Sequence, residues 1–102
     1  MPRTQVIFAA EVADDFERIL THLNQFDFAN VDGRIDNILT SLEVLRHSPL
    51  VGRPARGELR ELVIGRDTHG YVALHQDAVE IDTVFVLGLK SQREAGYASE
   101  AH

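Results

Sequence analysis

The apolar periodicity of this chain changes at Ser48-Pro49, and no other feature restricts its fold as much. Between Glu11 and Leu45 apolar residues recur three and four positions apart, the spacing that keeps one face of an α-helix apolar. Beyond Pro49 they come instead in short runs rich in Val, Ile and Leu, the signature of strands. Val12, Phe16, Ile19, Leu20 and Leu23 mark the first helix, with Glu11, Asp14 and Asp15 placed where negative charge complements the helix dipole. The second carries Ile35, Ile38, Leu39, Leu42 and Leu45, behind "NQFDFANVD", in which Asp27 or Asn30 is the candidate N-cap. It is expected to run to Pro49, because the residue before a proline is pushed out of helical geometry. A connection this short makes the pair an antiparallel helical hairpin.

Ahead of the hairpin, "TQVIFA" at residues 4 to 9 reads as a strand. Behind it, "LRELVIG", "GYVALHQ" and "IDTVFVLGLK" read as three more, and the brief links "RDTH" and "DAVE" predict an antiparallel meander. Residues 49 to 58, with Gly52, Pro54 and Gly57, are expected to form an ordered loop. The predicted order is β-α-α-β-β-β: an α+β domain with the hairpin packed on a small, largely antiparallel sheet. At 102 residues one domain spans 1–102, with 91–102 a polar tail, since single domains commonly run to about 100–150 residues. In "LRELVI", Leu59, Glu61 and Val63 share one side and Arg60, Leu62 and Ile64 the other. Both sides are mixed, so the strand leaves the core side open.

The absence of cysteine excludes disulfides and Cys-based metal sites and fits a reducing compartment. The first twenty residues lack the long apolar core of a signal peptide, and no run approaches the roughly 18 apolar residues of a membrane span. A cytoplasmic protein is expected. "GRPARG" lacks the spacing and the Lys-Ser/Thr of a phosphate loop. Ser41, Ser48, Ser91 and Ser99 stand in no nucleophile elbow. His69 in a turn and His75 on a strand are weak acid-base candidates, and His75 is expected to be a partly buried, hydrogen-bonded ring. No histidine pair has the i, i+4 spacing of a helical metal site. No cofactor is implied.

Sixteen acids against ten bases give a formal net charge of −6, which repels polyanions at long range. The charge is unevenly spread. Residues 1 to 47 hold eight acids and four bases, whereas the span from Arg46 to Arg66 holds five arginines against Glu58 and Glu61. Arg53, Arg56, Arg60 and Arg66 therefore form a candidate cationic patch for an acidic or polyanionic partner, set against the plainer expectation of a solvated loop with one or two local ion pairs.

"SPLVGRP", "LRELVIG", "GYVALHQ" and "FVLGLKSQREAGY", in that order behind a helical hairpin, resemble the RelE/ParE family of bacterial toxins over about residues 4 to 97. The resemblance implies the toxin half of a type II toxin-antitoxin module, which stabilises plasmids or chromosomes and is silenced by a cognate antitoxin. RelE-like members cut messenger RNA on the ribosome; ParE-like members inhibit DNA gyrase. The ribonuclease branch places an arginine directly after Gly-Tyr, where this chain has Val72 after Gly70-Tyr71. That branch also places a basic cluster and a tyrosine at the end of the last strand. Lys90, Arg93 and Tyr97 match it, with Gln92 where arginine is frequent.

These departures favour the ParE-like branch, acting by protein-protein contact. Arg53, Arg56, Arg60, Arg66, Lys90, Arg93 and Tyr97 are then the target- or antitoxin-binding residues, and the two groups are expected to converge on one surface. The alternatives are a ribosome-dependent mRNA endoribonuclease using Lys90, Arg93 and Tyr97, with Arg66 or His75 in support, and a module member that has lost toxicity. Exposed stripes on the hairpin leave room for a homodimer.

Overall fold

In a computed structural model, described over residues 4–65, 70–94 and 96–97, the periodic segments become two helices on a five-stranded sheet. β1 (Gln5–Phe8) leads into α1 (Ala10–Phe26), a single 3₁₀ turn, and α2 (Val31–Glu43). Then follow β2 (Arg53–Pro54), β3 (Leu59–Ile64), β4 (Tyr71–Ala78) and β5 (Thr83–Ser91). The sheet order is β1-β5-β4-β3-β2. β1 runs parallel to β5, and the other pairs are antiparallel.

Strand register settles which side of β3 meets the helices. Leu62 and Ile64 join Tyr71, Ala73, Val84, Val86 and Leu89 beneath Val12, Ile19 and Leu23 of α1 and Ile38 and Leu42 of α2. On the opposite, outer face Val72 and Leu74 form a second apolar cluster with Tyr97, flanked by Leu59 and Leu87. Tyr97, beyond β5, thus packs on the outer face.

Several local expectations are corrected. The loop 49–58 contains a fifth strand. Gly52 has φ +99°, and a Cβ there would lie 2.4 Å from the Glu61 carbonyl oxygen. A left-handed glycine thus lets Arg53 and Pro54 pair with Glu61 and Arg60 at the sheet edge, where proline's missing N–H costs no ladder bond. α2 stops at Glu43 and tightens into a 3₁₀ turn over Val44–Arg46, short of Pro49.

Neither Asp27 nor Asn30 caps a helix through its side chain. The Asp27 carboxylate instead accepts from Asn30 Nδ2 and Arg34 Nε, both at 2.7 Å, which ties the hairpin turn. Leu20 and Leu39, both within the predicted apolar stripes, are 40% and 45% exposed.

Asp15 is not a first-turn surface acid: it is buried, 1% exposed. β1 ends its pairing at Val86, so the later backbone groups on that side of β5 need other partners. Asp15 Oδ2 accepts from the Leu89 N–H at 2.9 Å, and Arg18 Nη2 donates to the Leu89 carbonyl at 3.1 Å. Arg18 also donates to Asp15 Oδ1 at 2.8 Å and to both Glu94 oxygens, at 2.7 and 3.3 Å. One arginine thereby joins the helix, the strand edge and the segment after β5.

Candidate functional site

Directly opposed residues of neighbouring strands project to the same face, so the register places the candidate residues in rows. Arg53, Glu61, Leu74 and Gly88 form one outer-face row, and Val63, Val72 and Lys90 form the next. Gly88 is the notch of this surface. A Cβ there would meet Tyr97 Cδ1 at 2.9 Å, so its absence lets the Tyr97 ring lie on the sheet. Isolated glycines within strands commonly mark such close approaches.

Tyr97 is 5% exposed, and its hydroxyl donates to Glu61 Oε2 at 2.7 Å. Glu61 Oε1 accepts from Arg53 Nε at 3.2 Å. The Lys90 ammonium stands 5.6 Å from the Tyr97 ring centroid, within range of a cation-π contact, and donates to the Glu94 carbonyl at 3.3 Å. Arg56 borders the same surface, across a hollow formed with Pro54, Ala55, Leu59, Glu61, Leu74 and Tyr97.

The two predicted groups therefore converge in part. Arg53, Arg56, Lys90 and Tyr97 share the outer face. Arg60 does not: it lies in register with His75 on the inner side and reaches the Gly52 carbonyl at 3.3 Å. Arg93 lines a separate cleft on the helix side with Arg18, His22, Tyr71, Ser91 and Glu94. Arg66 and His69 lie outside the described residues.

His75 departs from expectation. It is fully buried, and neither ring nitrogen has a hydrogen-bond partner among the described residues. Burial, the largest cause, holds the His75 pKa below its ordinary value; the Val51 carbonyl and Asp77 oppose this, and Arg60 reinforces it. A neutral histidine walled off from solvent is a poor acid-base group for an external substrate.

In the helix-side cleft, burial raises the Tyr71 phenol, while Arg34 opposes the shift. Glu94 is held below the usual carboxylate range: burial pushes its pKa upward, but bonds from Arg18 and the Ser91 N–H outweigh it. Among the described residues no group of three His, Asp or Glu side chains converges to hold a metal ion. No helix there is long and apolar enough to cross a membrane.

Glu61 is the residue that sequence reasoning undervalued. It appeared as a neighbour of Arg60, whereas the fold makes it the centre of the basic surface. Gly88 was the available signal, because a glycine inside the most strand-prone run of the chain calls for a close neighbour. Compared with known proteins, the chain matches no protein-family model, and no curated protein matches it.

Proposed function

We propose that this chain is a toxin of the RelE/ParE family, of ParE-like character, and the toxin component of a type II toxin-antitoxin module. In this reading it inhibits DNA gyrase by protein-protein contact through the outer face of its sheet. The α+β order and the motif resemblance support the family. The observation that carries the branch is Val72. It occupies the position where the ribonuclease branch has an arginine, it is 2% exposed, and it packs under Tyr97. In-line cleavage of RNA requires cations aimed at the scissile phosphate, and this position supplies an apolar seat instead.

The cognate antitoxin would cover apolar surface beside the helices. A groove between β1 and α2, lined by Val6, Phe8, Leu39, Leu42 and Arg46, suits an amphipathic segment of such a partner. Ile7 and Phe8, each 44% exposed, stand on the edge strand beside it.

The test is to induce the chain alone in a bacterial host while following growth, DNA-damage response and messenger RNA integrity. Arrest with filamentation, a DNA-damage response and intact messages is expected. Rapid ribosome-dependent message cleavage would replace this reading with the ribonuclease one. No arrest at a verified level of folded protein would refute toxicity in that host.

A further inference from the structure

We infer that Glu61 is the specificity-determining residue of the outer face: its carboxylate closes an otherwise cationic surface to phosphate backbones. The inference deepens the proposed function and rests on it for the identity of the partner. The electrostatic gate itself is measurable apart from that.

Three basic side chains, Arg53, Arg56 and Lys90, border the surface around Tyr97. With Tyr97 supplying a hydroxyl donor, the groups that could hold a phosphate backbone stand together; the ring itself is 5% exposed, so the electrostatic part of single-strand binding is the part at issue. Glu61 sits among them, and each of its oxygens is turned to a group that would serve an anion. Oε1 holds the Arg53 guanidinium at 3.2 Å, and Oε2 holds the Tyr97 hydroxyl at 2.7 Å.

The Glu61 side chain is 19% exposed and that of Arg53 61%. The acid is therefore partly shielded from screening, while the arginine it restrains remains accessible. An incoming phosphate must displace a carboxylate from two hydrogen bonds or sit beside its charge. A protein partner meets no such barrier, because it can engage the rim cations singly and leave both Glu61 bonds in place.

The test compares wild type with Glu61→Gln, which keeps the side-chain volume and one acceptor and removes the charge. A fluorescein-labelled oligouridylate of about 12 nucleotides, within the site sizes of single-strand binders, is titrated at about 50 mM salt. The variant is expected to bind about tenfold tighter than wild type, with a gain that fades as salt rises. Adding Arg53→Ala to it is expected to abolish that gain.

Equal affinity of folded Glu61→Gln and wild type would overturn the inference, as would a gain that survives Arg53→Ala. Should the glutamine variant fold poorly, Glu61→Thr, a residue suited to strands, takes its place with the same expectations. An induced wild type that arrests growth without DNA damage would remove the gyrase reading and leave the oligonucleotide result intact.

Discussion

Asp14 and Asp15 are adjacent, chemically identical, and opposite in consequence. Asp15→Ala is expected to be among the most destabilising single changes in this protein. The substitution removes the acceptor of the buried Leu89 N–H, which lies 2.9 Å from Oδ2, and an orphaned buried donor costs about 1–3 kcal/mol. Arg18 also loses its 2.8 Å bond to Asp15, but it keeps Glu94 and is 36% exposed, so this adds only about 0–1 kcal/mol. The total, about 1–4 kcal/mol, corresponds to a fall in Tm on the order of 5–20 °C for a domain of this size. Asp15→Asn retains an acceptor and should cost about 1 kcal/mol. Exposed Asp14→Ala should stay within about 0.5 kcal/mol of wild type. Urea denaturation followed by circular dichroism measures all three, with an unchanged m-value as the condition for comparing them. Equal losses for the alanine variants at 14 and 15 would refute the strand-edge role. A loss for Asp15→Asn as large as that for Asp15→Ala would mean that charge and not the acceptor holds the edge.

Gly52→Ala forces a Cβ to 2.4 Å from the Glu61 carbonyl at φ +99°, and at least about 2 kcal/mol of strain is expected. Hydrogen exchange should show lost protection at Ala55, which bonds Leu59 O at 2.9 Å, with β4–β5 amides retained; unchanged protection would contradict the close approach. His75 governs a pH dependence of the same sense as that of a paired carboxylate, but at higher pH. Its folded pKa lies below the ordinary 6.5, so the unfolded chain binds more protons just below pH 6.5 and stability falls as pH drops through that window. Glu94, held below its ordinary 4.5, acts only at lower pH. His75→Phe should flatten the dependence of unfolding free energy between pH 5 and pH 6.5, values set by the ordinary histidine pKa of about 6.5, and a slope equal to wild type would assign it to other groups.

Helix and strand placement was legible because each rests on a repeat that a single chain displays: three-and-four spacing for α1 and α2, β-branched runs for β1, β3, β4 and β5. β2 was not legible. Two residues, one a proline, carry no pattern, and their pairing depends on a backbone approach at Gly52 that only the folded sheet defines. The same holds for Asp15, whose partner Leu89 is 74 positions away. Leu20 and Leu39 fit the apolar stripe by spacing, yet they stand 40% and 45% exposed, which spacing alone does not reveal. At the candidate site, residue types were readable and faces were not. Arg53 and Arg60 look equivalent in the sequence; strand parity in the observed register sends them to opposite sides. His75 looked like an ordinary half-buried ring until Val51 and Gly52 closed over it.

The outer face combines an apolar centre with a charged border, and that arrangement bears on which partner it suits. Val72, Leu74 and the Tyr97 ring form the centre, with Leu59 and Leu87 beside them. Arg53, Arg56 and Lys90 stand around it, and Glu61 ties Arg53 to the tyrosine. A centre for phosphoryl chemistry would invert this plan, with cations converging inward on the reacting phosphate and apolar groups kept outside. Here the apolar centre is already buried within the chain, with Val72, Leu74 and Tyr97 at most 5% exposed, so the charged border is what a partner meets; protein interfaces carry such charge at the rim, and arginine is prominent among the residues that carry their binding energy. The net charge of −6 acts in the same direction, since it disfavours long-range capture of a nucleic acid while leaving a local basic border available to an acidic protein surface. The arrangement of charges around Tyr97 supports the proposed contact with a protein target, whereas the count of arginines alone left an acidic and a polyanionic partner equally open.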